Sequence, residues 1–422
     1  MKTLRTLYFL VLLSLGMVGG IIAQTKEYTL EECRAMALAN NKKIQKATYN
    51  IDAAKAAMAS TNASALPTLD GSLQGVHLGD PLSTLLPSEM VNAGLDIKQN
   101  IYSGNKMRYG KKRVAKSVEL YESQKAMTEA EVLLSVETYY WQVVQATENV
   151  KVANKYRDML KDLRQLFKNS VDAGLTYKND LLRAEVNLNN AELSILQAKD
   201  YLKICKLSLA QVIGHPSDSE FTLVEALDYT YQPVVEQGSI DKRPEIAILE
   251  KSLEINEYQT KILQADRLPQ VGFSLSGLAA YGDGVNFSDT TNQMYTYYGM
   301  LSVSIPIFNW GRNKNSVKEQ KFKVEAARVE MEDSKELYSL EATNAQMQVN
   351  QSYQKILLSE ASLQQAEENL RLANDRYSVG TITGNDVLEA QVIWEQAILA
   401  LVEAKVEYRI NLATYKKTTG TL

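Results

Sequence analysis

Two stretches of the 422-residue chain place residues, nearly all of them apolar, at alternating steps of three and four. One runs Leu181, Ala184, Leu188, Ala191, Ile195, Ala198, Leu202, Cys205, Leu209, Val212. The other runs Val387, Ala390, Trp394, Ala397, Leu401, Ala404, Tyr408, Asn411, Tyr415. A period of 3.5 held over this length predicts helices that supercoil around neighbours, and small residues alternating with large ones suit close interdigitation. Periodicity alone also allows an ordinary helical bundle. The stretches before them, about 106–170 and 313–378, carry seams of their own: Tyr156, Leu160, Leu163, Phe167 and Leu363, Ala366, Leu370, Ala373, Tyr377. Each predicts a helix on the order of 100 Å if continuous, at about 1.5 Å per residue. A compact globule has no use for helices of that length.

A period of two appears elsewhere. Val271, Phe273, Leu275, Gly277, Ala279 and Tyr281 alternate with Gly272, Ser274, Ser276, Leu278 and Ala280. On the return, Tyr295, Tyr297, Leu301, Val303, Ile305 and Ile307 alternate with Thr296, Ser302, Ser304 and Pro306. Val91, Ala93, Leu95 and Ile97 against Asn92, Gly94, Asp96 and Lys98 are a weaker version. One apolar face and one small, mostly polar face fit strands between lipid and water. They also fit a small soluble sheet capping the helices. Four strands cannot close a membrane barrel, because about eight is the smallest number known, and open edges in lipid leave backbone groups with no water to bond. Membrane strands would therefore require several chains to share one barrel, two chains giving eight strands and three giving twelve.

The chain is a duplication. Leu66–Gly75 matches Leu268–Gly277 at an offset of 202, while Gly174 and Gly380, like Gly214 and Gly420, stand 206 apart. Repeats of this size are duplicated domains, not short solenoid units. The expected division is a signal peptide at 1–23, a first repeat at 24–214, a connector at 215–239 and a second repeat at 240–422. Each repeat reads as helix, strand pair (about 66–102 and 268–308), very long helix, turn (about 171–180 and 378–386) and long helix. Thr29 with Glu32 has capping-box spacing and opens a helix to about Ser64; its counterpart starts near Asp241 with Pro244 in its first turn. Thr383 with Asp386, and Thr176 with Asn179, are spaced for the helix starts after the two turns. The expected fold is mainly α with a small β part.

Composition narrows the function. Lys2 and Arg5, the apolar run Leu7–Val18 and small residues before a cut after Ala23 read as a secretory signal, with an uncleaved anchor as the alternative. Without those two cations, 44 basic residues face 50 acidic ones, about −6, and nothing suggests nucleic acid as a partner. Two cysteines, Cys33 and Cys205, and two unrelated histidines offer little for a disulfide framework, a metal site or a triad. No enzyme motif, metal or cofactor is expected.

One motif is more specific. Tyr377-Ser378-Val379-Gly380-Thr381 leads to Asp386-Val387-Leu388-x-Ala390. Gly174-Leu175 with Asp180, Leu-Pro at each first strand, and Ile307-Phe308 followed by Gly311 accompany it. Together they resemble the TolC-like outer membrane efflux protein family over essentially the whole mature chain. The resemblance implies a homotrimer: a twelve-stranded β-barrel in outer membrane lipid, four strands per chain, continuous with an α-helical coiled-coil tunnel. It implies a passive exit duct of a tripartite efflux or type I secretion system. The partners would be a periplasmic adaptor (membrane fusion) protein and, through it, an inner membrane pump or ABC-type transporter.

By the same resemblance, Gly174, Leu175, Arg376, Val379, Gly380 and Thr381 would meet the adaptor, although turn chemistry alone would also call for the glycines. Asp386 and Glu389, on one helix face, would form acidic rings of a periplasmic gate, with Asp180 and Tyr377 as partners of an inter-helix link. First-turn carboxylates suited to the helix dipole are the plainer account. The position of a basic residue that usually helps hold this gate is Ile382, so closure is expected to be held differently or more weakly. A soluble periplasmic coiled-coil scaffold with a small β-cap is the alternative function.

Overall fold

The computed structural model describes residues 26–422 apart from 85, 175–176, 217–220, 225–226, 228–229, 236–237, 287 and 289–290. The expected signal peptide lies outside the described residues. In chain order the elements are β1 (Lys26–Tyr28), α1 (Leu30–Asn40), α2 (Lys42–Ala63), β2 (Thr68–His77), β3 (Glu89–Ser103), α3 (Lys106–Asp172) and α4 (Lys178–Ile213). β4 (Phe221–Leu223), α5 (Pro244–Ala265), β5 (Gln270–Gly282), β6 (Gln293–Ser304), α6 (Arg312–Ser378) and α7 (Gly384–Thr418) complete them. The fold is mainly α with a small β part. α3 and α6 each have 67 residues.

Contacts divide the chain into two compact units, each drawing on both sequence repeats. One comprises the residues up to Asn41, Ser135–Pro233 and Asn350–Asn411; the other comprises Lys42–Leu134, Val234–Val349 and Leu412–Leu422.

In the first unit, Thr29 caps α1 with a reciprocal box: its hydroxyl accepts from the Glu32 amide at 3.2 Å, and Glu32 Oε2 accepts from the Thr29 amide at 2.9 Å. The single helix expected from Thr29 to Ser64 is in fact two. Asn41 adopts an extended conformation (ψ 129°) between them, and its side-chain amide donates to the Val212 carbonyl at 2.8 Å. That bond ties the break to the end of α4. β1 pairs in parallel with β4, joining segments nearly two hundred residues apart, a pairing that sequence reading missed. Nearby, Glu137 is buried and accepts from Arg34 and from Trp141 Nε1 (2.9 Å), and the Arg409 guanidinium stacks 4.6 Å over the Trp141 ring. The seam positions of α4 and α7 face inward: Ala184, Ala191, Ile195, Cys205, Leu209, Val387, Ala390, Trp394, Ala404 and Tyr408 are all buried.

In the second unit the four long strands form one antiparallel sheet in the order β2-β3-β5-β6. The central β3–β5 seam joins the hairpins of the two repeats, with a bulge between Asn100 and Tyr102. Ion pairs bind the helices below: Lys116 to Glu254 at 3.0 Å and Lys251 to Glu119 at 2.9 Å link α3 to α5. α5 meets α6 through Gln320 to Asn256 at 3.1 Å and through Arg243 to Glu341 at 2.8 Å. Arg243 is 4% exposed and stacks 4.1 Å over the Tyr338 ring.

Helix ends in both units use one device. Gly214, Gly380 and Gly420 have φ of 70°, 76° and 65°. After each, the next residue's amide bonds back five residues: His215 to Ala210, Thr381 to Arg376 and Thr421 to Lys416, at 2.8–3.0 Å. This is the Schellman stop, and it needs a residue at ease in the left-handed region.

Candidate functional site

Two regions carry the features that the sequence singles out, one in each unit. The first is the sheet. Its register lines up rows of odd-numbered residues on one face: Leu69, Ile97, Leu275 and Gly299; Gly71, Leu95, Gly277 and Tyr297; Leu73, Ala93, Ala279 and Tyr295. These side chains are apolar or aromatic and many lie open; Leu73 is 75% exposed and Tyr297 82%. The even-numbered face reads Thr68, Lys98, Ser274 and Met300; then Asp70, Asp96, Ser276 and Tyr298; then Ser72, Gly94, Leu278 and Thr296. Asp70 stands directly opposite Asp96, a repulsive arrangement in a sheet. Lys98 lies 3.9 Å from Asp70, and the Ser276 hydroxyl donates to Asp96. β2 and β6 are edge strands with no described neighbour. Water solvates the polar face at little cost, whereas leaving the apolar face in water is unfavourable.

The second region is the tip, where α3 and α6 end and α4 and α7 begin. Tyr156, Leu160, Leu163, Phe167, Ala184, Ala191, Val387, Leu388 and Trp394 form its buried core, with Leu181, Tyr377 and Ile382 packed against it. Gly174 (φ 69°) and Gly380 (φ 76°) turn the chain in open space, with nothing within 4 Å of where a Cβ would stand. Val379 is 72% exposed, and Arg376 and Thr381 are exposed beside it. The Arg376 carbonyl accepts from both the amide and the hydroxyl of Thr381, at 3.0 and 2.9 Å. Leu175 and Thr176 lie outside the described residues. The N-cap of α4 is Tyr177, which makes no side-chain cap, so the expected Thr176 start is shifted by one residue.

Asp386 caps α7 in return: its carboxylate accepts from the Thr383 amide at 2.8 Å and from the Thr383 hydroxyl at 2.7 Å. Those bonds hold its carboxyl below the usual range. Asp386 and Glu389 line one cleft of about 370 Å³ with Arg376, Leu372, Ile382 and Ile393. Tyr377 lies elsewhere in the tip, its ring edge-on to Phe167 at 5.6 Å. Burial first, and the nearby Asp180 carboxylate second, push the Tyr377 hydroxyl up. The tip thus brings Tyr377 to Asp180, and Asp386 to Glu389, as two separate pairs. Sequence reading overlooked Phe167 and Gly384 as partners: a Cβ on Gly384 would lie 2.4 Å from the end of the Phe167 ring. Phe167 was visible only as one seam residue among several. Among the described residues no group of three or more His, Cys, Asp or Glu could hold a metal ion. No described helix is long and apolar enough to cross a membrane.

A family model described as outer membrane efflux protein matches residues 34–215 and 237–421. The chain belongs to the outer membrane efflux protein family. Among curated relatives of this efflux protein is the outer membrane protein TolC of Vibrio cholerae, 20% identical over 402 residues, covering 93% of this chain and 91% of the relative. TolC of Escherichia coli is 22% identical over 350 residues, covering 79% and 70%. The alkaline protease secretion protein AprF of Pseudomonas aeruginosa is 20% identical over 337 residues, covering 78% and 69%. Among solved structures, CusC superposes with a TM-score of 0.81 at 17% identity, covering 94% of this chain and 93% of its own. The open state of the MtrE outer membrane channel of Neisseria gonorrhoeae gives 0.77 at 19%, covering 93% and 89%. At such identities the superpositions speak to the fold. The efflux protein is an outer membrane protein, and its function is that of an efflux or secretion channel.

Proposed function

We propose that three copies of this efflux protein share one twelve-stranded barrel in outer membrane lipid and form a passive exit duct, not an enzyme. The observation that carries the reading is the sheet, apolar on one face across all four strands and open at both edges. Neighbouring copies would close those edges and leave no unpaired backbone in lipid. The polar face, with Asp70, Asp96 and Lys98, would line water. A soluble scaffold with a β-cap would have no reason to leave Leu69, Leu73 and Leu95 uncovered.

In this reading Asp386 and Glu389, repeated around a threefold axis, make acidic rings at the periplasmic entrance, and Asp180 with Tyr377 links the two helical hairpins of each chain. Gly174, Leu175, Arg376, Val379, Gly380 and Thr381 offer the surface for a periplasmic adaptor that leads to an inner membrane pump or ABC-type transporter. TolC and AprF, as relatives named for outer membrane and protease secretion roles, support this placing in a multi-component export system.

The test is the mass of the protein extracted from outer membranes, by light scattering corrected for detergent, followed by ion conductance in planar bilayers. A conducting trimer supports the reading. A monomer that stays soluble without detergent overturns it.

A further inference from the structure

We infer that Phe167 is the positioning residue of the closed entrance, acting as an apolar latch seated on the backbone of Gly384 at the first turn of α7. The inference rests on the channel reading above and adds what holds its tip shut. Phe167 projects from α3 and is fully buried. Its ring lies where any side chain at position 384 would have to stand, with Cζ 2.4 Å and Cε1 2.8 Å from an ideal Cβ. Glycine there admits the ring to the α7 backbone itself, although position 384 is helical and its φ does not demand glycine. Tyr377 of α6 closes on the ring edge-on at 5.6 Å, and Ile382, just before the Thr383 cap, packs on the same cluster. One ring therefore joins α3 to the end of α6 and the start of α7.

The acidic pair follows from this seat. Asp386 and Glu389 lie two and five residues beyond Gly384 on the same helix, so the depth to which Phe167 enters sets where both carboxylates stand. Polar contacts described between the hairpins include the Asp180 carboxylate and the Ser170 hydroxyl, both acting on the Tyr377 hydroxyl, and one exposed pair. Arg183 donates to the Asn385 side chain at 3.2 Å, and the Arg376 guanidinium makes no ion pair among the described residues. Exposed charge pairs are screened as salt rises, whereas dispersion contacts in a packed core are not. Closure by this latch is accordingly not weakened as ionic strength rises.

The experiment measures open probability of the purified trimer in planar bilayers, with trimer mass and melting followed alongside. Gly384→Ala crowds the ring and is expected to raise open probability about tenfold, the equivalent of about 1.4 kcal/mol of overpacking. Phe167→Leu removes the outer ring atoms and is expected to leak on its own. The double variant, with the smaller side chain making room for the methyl, is expected to return most of the way to wild type. Raising KCl from about 0.1 to 1 M is expected not to raise wild-type open probability, since screening only relieves the repulsion of the acidic rings. If Gly384→Ala does not assemble, Phe167→Leu decides alone. Trimers of normal mass whose open probability ignores these substitutions, or a wild type that opens steeply with salt, overturn the latch. A wild-type trimer that never passes current overturns the channel reading instead.

Discussion

Replacing Arg243 by Met tests the most deeply placed charge described in the second unit. The guanidinium sits at the N-cap of α5, bonded to Glu245 at 3.2 Å and to Glu341 at 2.8 Å, and stacked on Tyr338. Methionine keeps much of the volume and removes the charge. Breaking a buried pair by deleting one partner costs about 3–5 kcal/mol, mainly by stranding the other charge. Here the Glu341 side chain is 47% exposed and would be solvated again, so the penalty rests on Glu245, at 14%. That argues for the lower end, about 3 kcal/mol.

The pH dependence gives the sharper signature. Burial pushes the Glu245 carboxyl up, but the Arg243 hydrogen bond, its own backbone amide and the charges of Arg243 and Lys417 together hold it below its ordinary 4.5. A depressed carboxyl stabilises the fold above the unfolded value, and the contribution fades as pH falls through the folded one. Without Arg243 burial prevails and the carboxyl is raised, so the variant loses stability as pH rises. The gap between wild type and Arg243→Met is thus widest near pH 7 and shrinks below about 4.5. Thermal melting of the detergent-solubilised protein, followed by helical circular dichroism at pH 7 and pH 4, reads it directly. An equal loss at both pH values would refute the reasoning and reduce Arg243 to a packing group.

Three further outcomes are expected. Leu95→Arg, on the apolar face, is expected to block membrane assembly at a cost of about 2–4 kcal/mol per chain, whereas Asn92→Arg on the polar face assembles; heat-resistant trimer on gels reads both. Gly420→Ala is expected to lower the melting temperature more than Gly380→Ala. Both have positive φ, but only at 420 would the Cβ lie 2.6 Å from the Lys242 backbone, while 380 is open. Ile382→Arg puts a basic side chain in the cleft that holds Asp386 and Glu389 and is expected to lower the bilayer leak; an unchanged leak would show that Ile382 has no part in closure.

What the sequence discloses depends on how local the cause is. The 3.5 period of α4 and α7, the alternation along β5 and β6 and the Thr29–Glu32 box are local patterns, and each appears in the structure as an inward seam, a two-faced strand and a reciprocal cap. The break at Asn41 was not legible, because neither proline nor glycine marks it and its cause is a carbonyl 171 residues away. β1 and β4, three residues each, exist only by pairing with each other. At the tip, the turn glycines and Asp386 announce themselves by composition and spacing. Phe167 and Gly384 do not, since a close approach between a ring and a distant backbone leaves no mark on either stretch.

The directions of the strands in the sheet have a consequence for assembly symmetry. With four strands alternating in direction, β2 and β6 run opposite ways, and each comes from a different sequence repeat. A two-fold axis normal to the sheet would join β2 to β2 with the two copies pointing opposite ways, and would leave both copies of β6 bare. Head-to-tail addition joins β6 of one copy to β2 of the next in an ordinary antiparallel ladder, and repeats until the ring meets itself. Each seam is then heterologous, pairing the second half of one molecule with the first half of its neighbour. An incomplete ring always keeps two complementary edges, so partial assemblies remain adhesive and only the closed one is finished.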